Sequence, residues 1–227
     1  VDECHQESSA RIRALIERDR STPTLLRAAL VSVPPQDRDA WIDMVFGLGD
    51  IPDDGPDLPR GCTPYLPCGV DALLRIVEHA PVHSSDVFVD VGSGLGRAAT
   101  LVHLLTGAGA IGLEIQSGLV VEASHLAGRL DVSRVSTVHG DAAQLVGFLP
   151  IATVFFLYCP FSGDRLVKVL ADLEPIARTR MIRLCCVDLP LPPCRWLTLT
   201  SQPAGDLAIY RSTIHDEGIP RPLPATW

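Results

Sequence analysis

The chain has 227 residues, 47% of them hydrophobic and 5% aromatic, with a formal net charge of -8. That length supports one sizeable core, filled mainly by aliphatic side chains. The acidic balance argues against a nucleic-acid backbone as the main partner, because phosphate binding needs a basic face, and no run of about 18 apolar residues is present to cross a membrane.

The first residues, Val1-Asp2-Glu3-Cys4-His5, lack the basic and apolar regions of a secretory signal, so a cytoplasmic location is expected. The seven cysteines are odd in number and form no Cys-x-x-Cys pair. Cys62 and Cys68 are near enough in sequence to approach each other, but that spacing does not define a bridge. No His, Cys, Asp and Glu spacing matches a metal site, and none is expected.

Residues 8–48 read as helical. Ile12, Leu15 and Ile16 share one helix face, and Leu25, Leu26, Ala29 and Leu30 make a second stripe. Ser21 is a candidate N-cap with Pro23 in the first turn. Pro34-Pro35 ends that element, and a third helix is predicted from Asp37 to Phe46. Residues 49–69, rich in Pro, Gly and Asp, read as a long ordered loop, with Asp50, Asp53 and Asp54 in a solvated stretch. Val70 to Ala80 is a further helix, carrying Leu73, Leu74 and Val77 on one side.

From Asp86 onward strands and helices alternate. Strands are predicted at 86–91, 110–115, 134–139, 153–158, 180–187, 195–200 and 206–211. Helices are predicted at 95–105, 117–129, 142–148 and 162–174. This order means an α/β fold: a doubly wound, seven-stranded, mostly parallel sheet with helices on both faces. The last two strands are separated only by residues 201–205, so they close the sheet as an antiparallel hairpin. The expected organisation is an N-terminal helical cap and lid-like loop over 1–69, the α/β domain over 70–215, and a Pro-rich tail over 216–227.

Chemistry concentrates at the ends of the first strands. Val87-Phe88-Val89-Asp90-Val91 is followed by Gly92-Ser93-Gly94-Leu95-Gly96-Arg97. Glycines at alternate positions let the backbone bend and approach a ligand with no Cβ in the way. The dinucleotide pattern Gly-x-Gly-x-x-Gly is not matched, since Arg97 stands at its third glycine; a nicotinamide-dependent oxidoreductase is therefore the weaker reading. Glu114, followed by Ile115, ends the second strand about 20 residues on, where a carboxylate can accept both hydroxyls of a ribose. Asp141, followed by Ala142, ends the third strand. It can accept from an adenine amino group, cap the next helix, or do both.

On these residues, 86 to about 211 resemble a class I S-adenosylmethionine-dependent methyltransferase. Asp90, Gly92, Gly94 and Gly96 match that family's first motif, with Ser93 inside the turn. Glu114 matches its ribose-binding acid and Asp141 its adenine-contacting acid. The resemblance implies S-adenosylmethionine as cofactor and a strand order of 3-2-1-4-5-7-6. The wording of the first motif, and Phe161-Ser162-Gly163, are most similar to the non-SET histone-lysine methyltransferases, which carry asparagines where this chain has Tyr158-Cys159.

In such a fold the segment after the fourth strand faces the methyl group. Here it holds the two catalytic candidates. Tyr158 can offer a hydroxyl or ring face to cofactor and substrate; Cys159 reads as a pocket-lining thiol rather than a covalent nucleophile. Phe161 can wall the pocket and Pro160 stiffen the loop. Tyr65 or Thr63 can fold over the methionine end of the cofactor. Arg97 can contact the same carboxylate or pair with Asp90. His103 reads as structural, His139 as a satisfied core residue or an adenine neighbour, and His83 and His125 as surface residues; His215 is placed near the substrate mouth. The expected reaction is methyl transfer to an oxygen or nitrogen nucleophile. A protein or peptide side chain is favoured as acceptor over a small molecule, and nucleic acid is disfavoured. A catalytically degenerate module that only binds the cofactor is the alternative from a different class.

Overall fold

The computed structural model describes residues 3–18, 23–49, 51–52, 55, 58–201 and 206–213. Ser21, the acids at 50, 53 and 54, His215, the turn at 202–205 and the Pro-rich tail lie outside them.

Three helices lead the chain: α1 (Glu3–Arg18), α2 (Pro23–Ser32) and α3 (Arg38–Phe46). A single 3-10 turn at Pro35–Asp37 joins α2 to α3, where the proline pair ends the helix. Gly47 stops α3 in a left-handed conformation at φ 63°. The helix α4 (Val70–His79) then precedes the alternating part: β1 (Val87–Val91), α5 (Arg97–Thr106), β2 (Gly109–Glu114), α6 (Ser117–Arg129), β3 (Val135–His139), α7 (Ala142–Leu145), β4 (Val154–Tyr158), α8 (Asp164–Thr179), β5 (Arg183–Val187), β6 (Leu197–Leu199) and β7 (Leu207–Ser212). The helix predicted over 142–148 is split, α7 tightening into a 3-10 turn at Val146–Phe148.

The seven strands form one sheet in the order β3-β2-β1-β4-β5-β7-β6. Neighbours from β3 to β5 are parallel, and β7 runs antiparallel to both β5 and β6. The pleat sends alternate side chains to opposite faces. Phe88, Phe156 and Cys185 enter a core shared with Ile12, Leu26, Trp41, Leu73 and Leu101, so the N-terminal helices pack into the same apolar layer as α4 and α5. Val89, Val91, Phe155, Leu157 and Cys186 face the other core, under α7 and α8. The adjacent Cys185 and Cys186 thus serve one layer each, and Cys62, Cys68, Cys159, Cys185, Cys186 and Cys194 are free thiols.

Arg13 of α1 donates to the carbonyls of Met44 and Val45, closing the last turn of α3. Among the described residues, no helix is long and apolar enough to cross a membrane.

Candidate active site

The turn from β1 into α5 folds back beneath β2. The N–H groups of Gly92 and Ser93 both donate to Leu113 O, at 2.9 and 3.0 Å, and Gly96 N–H donates to Ser93 O at 2.9 Å. Gly92 and Gly94 hold φ of 82° and 53°, in the left-handed region that excludes most side chains. Space excludes them too. A Cβ on Gly92 would stand 2.8 Å from Pro160 Cβ, and one on Gly94 would overlap the ring of Tyr65. Gly96 answers a packing need, with Ala123 of α6 against it. Ser93 turns its hydroxyl back onto Gly112 of β2, away from the cleft.

Beside this turn runs a cleft at the carboxyl ends of β1 to β4, enclosing about 630 Å³ with its open mouth included. Glu114 enters from the end of β2, only 6% exposed. Its Oε2 accepts from Gly94 N–H at 2.8 Å and its Oε1 from Gln116 N–H at 2.7 Å. The glycine turn and the strand-end acid therefore hold each other. Asp141 enters from the end of β3. Its Oδ1 accepts from Ala143 N–H at 3.0 Å, capping α7, while Arg165 Nη1 of α8 lies 2.7 Å from each carboxylate oxygen. Ile115 and Ala142 line the wall between these two acids.

Asp90 lies beneath the cleft floor rather than on its surface. It is 3% exposed, and its Oδ2 has no hydrogen-bond partner. Burial, reinforced by the neighbouring Glu114 carboxylate, pushes its pKa up from 3.8 to about 7; the Ala99 backbone N–H works in the other direction.

Tyr158 ends β4 on the opposite wall, and among the described residues its hydroxyl forms no hydrogen bond. Burial first, then nearby Cys68 and Asp188, push its pKa up. Cys159 has φ 41°, and its thiol donates to Asp188 O at 2.8 Å. Burial and the Asp188 carboxylate raise its pKa, so this sulfur is held as a protonated donor, which suits a wall and not a nucleophile.

The cleft has a roof. Cys62 pairs antiparallel with Phe161, Thr63 N–H donates to Pro160 O at 3.1 Å, and Ser162 N–H donates to Gly61 O at 3.1 Å. Leu58, Thr63, Pro64, Tyr65 and Leu66 line the space below this short ribbon. Burial pushes the Tyr65 hydroxyl up to about 12.

The structure thus brings Tyr65, Gly92, Glu114, Ile115, Asp141, Ala142, Tyr158 and Cys159 to one cleft. Gly94 lies under the Tyr65 ring, and Asp90, Ser93 and Gly96 support from behind. Arg97 corrects both roles considered for it: it meets neither the cleft nor Asp90, and pairs instead with Asp39 and Asp43 of α3. His139 corrects the core reading, being exposed on the edge strand with Nε2 3.0 Å from Ile115 O. His103 has the expected structural role, its Nδ1 2.7 Å from Ala108 O. Arg165 and Gln116 were missed. Arg165 sits 24 residues beyond its partner, with no local pattern to flag it.

No family model matches the chain, and no curated relative does. Solved structures do. An RNA methyltransferase from Salinibacter ruber, in complex with S-adenosyl-L-homocysteine, is 28% identical; the match covers 70% of this chain and 100% of that one, with a TM-score of 0.53. A putative methyltransferase from Escherichia coli is 19% identical over 63% of this chain and 86% of that one, with a TM-score of 0.50. A putative methylase from Haemophilus influenzae is 16% identical over 62% and 98%, also at 0.50. The architecture is the Rossmann-like methyltransferase fold. The last two likenesses speak for the fold alone, and none of the three carries the similarity to histone-lysine enzymes read from the first motif. In the Rossmann-like methyltransferase fold, as in other open α/β sheets, ligands bind outside the carboxyl ends of the strands where strand order reverses. Here that reversal lies between β1 and β4, at Gly92 and Tyr158.

Proposed function

We propose that this protein is an S-adenosylmethionine-dependent methyltransferase acting on an oxygen or nitrogen nucleophile. One observation carries the reading: Glu114, Asp141, Gly92 and Tyr158, from four different strand ends, converge on a single cleft. The 28% identity to an RNA methyltransferase complexed with S-adenosyl-L-homocysteine supports it.

The residues present fit the cofactor. The turn at Gly92 and Gly94 carries no side chain of its own and is covered by Pro160 and the Tyr65 ring, Glu114 keeps lone pairs for a ribose diol, and Asp141 is the acid we assign to an adenine amino group. Asp90, with an orphaned buried oxygen, sits behind the turn as a latent negative charge. S-adenosylmethionine supplies an activated methyl group on a positive sulfonium. The protein's tasks are then to align the acceptor in line and to exclude water. Tyr158 offers a ring face and a free hydroxyl to a cation or an acceptor at that wall. Phe161, Pro160 and the roof keep solvent out.

The acceptor reading shifts from the sequence-based leaning. A polypeptide acceptor gains no support from the neighbours, and the roof over an apolar wall favours a small molecule. One structural neighbour is an RNA methyltransferase, so RNA stays among the acceptors to be tested despite the net charge of -8.

Calorimetry with S-adenosyl-L-homocysteine and with NAD tests the cofactor: the first binds and the second does not. Tight NAD binding alone would refute the proposal. Turnover to S-adenosyl-L-homocysteine separates an enzyme from a binding module. Methyl-labelled cofactor, offered with metabolite, RNA and polypeptide fractions of a lysate, identifies the acceptor class, and label in the metabolite fraction is expected.

A further inference from the structure

Three segments meet at one buried side chain. Arg97 opens α5 directly after the glycine turn and is 4% exposed. Its Nε donates to Asp43 Oδ1 at 2.6 Å and its Nη1 to Cys68 O at 2.7 Å. Its Nη2 donates to Asp39 Oδ1 at 2.8 Å and to Asp39 O at 3.2 Å. A buried guanidinium is tolerated only when its fork is satisfied in this way.

The partners are not scattered. Asp39 and Asp43 lie one turn apart on α3, in the N-terminal helices. Asp39 Oδ1 also accepts from Val70 N–H at 2.9 Å, fixing the start of α4. Cys68 O belongs to the segment that leads out of the roof. Three residues earlier, Tyr65 lays its ring on Gly94. The near end of the roof is anchored to Pro160 and Ser162. Its far end is anchored at Cys68 and Val70, by Arg97 and by the Asp39 that Arg97 holds. Tyr65 lies between these two anchors.

We propose that Arg97 is a positioning residue for cofactor binding. It fixes the far anchor of the roof, holds Tyr65 against the glycine turn, and thereby makes the helices α1 to α3 part of the cofactor site. The cofactor half of this inference rests on the methyltransferase reading; the anchoring half does not. It follows that α3 reaches the cofactor without touching it, through one guanidinium and one carbonyl.

Two measurements on the full chain test this. The first is amide hydrogen exchange on the ligand-free protein, comparing wild type with Arg97→Met and Asp43→Asn. Exchange is expected to rise in peptides spanning 61–70 and to stay unchanged in peptides of β4. Unchanged exchange over 61–70 in both variants overturns the anchor. The second is a double-mutant cycle on the affinity for S-adenosyl-L-homocysteine. Arg97→Met is expected to weaken binding about tenfold, as for loss of a charge-assisted anchor, and Asp43→Asn by less. In a Tyr65→Ala background, Arg97→Met should add less than about twofold, because the ring it positions is gone. Full additivity overturns the proposal. Arg97→Lys keeps the charge but not the fork, and should fall between wild type and Arg97→Met. Should Arg97→Met fail to fold, Asp43→Asn decides by the same two readouts. A wild-type protein that binds no S-adenosyl-L-homocysteine defeats the methyltransferase reading instead, and the exchange result still decides the anchor.

Discussion

Arg165 Nη1 lies 2.7 Å from both carboxylate oxygens of Asp141, and the same carboxylate caps α7 through Ala143 N–H. One acid therefore joins β3, α7 and α8 at one end of the cleft. Asp141→Ala is expected to weaken S-adenosyl-L-homocysteine binding by roughly 1–3 kcal/mol and folding stability by about 1 kcal/mol through the lost cap. Asp141→Asn keeps the cap and should recover most of the stability. Calorimetry and denaturant melts separate the two effects.

Glu114 stabilises its own surroundings before any ligand arrives. Glu114→Ala leaves the N–H groups of Gly94 and Gln116 without their acceptor, at roughly 1–3 kcal/mol for each that stays dry. The expected result is a lower melting temperature in the absence of ligand together with weaker cofactor binding. A variant with full stability would mean that the turn finds other acceptors.

Asp90 makes stability depend on pH. In the unfolded chain it loses its proton near 3.8; in the folded protein it keeps it to about 7. Between those values the folded state holds the extra proton, so this contribution is complete below about 3.8 and is lost as pH rises through about 7. Asp90→Asn should flatten that part of the stability profile, measured by denaturant melts across the range. If the positive cofactor draws the carboxylate into its charged form, binding at about pH 6 releases a proton. Calorimetry in two buffers of different ionisation enthalpy reads that release directly.

Cys159 should be dispensable for chemistry. Its thiol donates to a backbone carbonyl, which a serine hydroxyl can also do, so Cys159→Ser is expected to keep turnover within about threefold of wild type. Loss of all turnover, with the fold intact by circular dichroism, would revive a covalent role.

Much of this arrangement was legible because its signals are local. A strand ending in Asp90 and running into Gly92, Gly94 and Gly96 announces both the bend and its ligand side. Glu114 and Asp141 end the next two strands, and strand ends are where an open sheet gathers function. The unread part is long-range. The roof joins Gly61–Thr63 to Pro160–Ser162, and nothing in either segment names the other. Arg97 gave half a signal: a charged residue opening an apolar helix needs partners, but its carboxylates lie 54 and 58 residues upstream. The core reading of His139 gave too little weight to the edge position of β3 in the order 3-2-1-4-5-7-6, where the residue is exposed and its ring meets Ile115 O.

The main-chain stitching between Gly61–Thr63 and Pro160–Ser162 has a kinetic corollary. In the methyltransferase proposed above, one continuous ribbon would cover the cofactor and flank the acceptor, so their binding is expected to be coupled. Whichever molecule lies deeper enters before its companion and departs after it. Steady-state rates should accordingly obey a compulsory order, and product-inhibition patterns read which product is the last to leave.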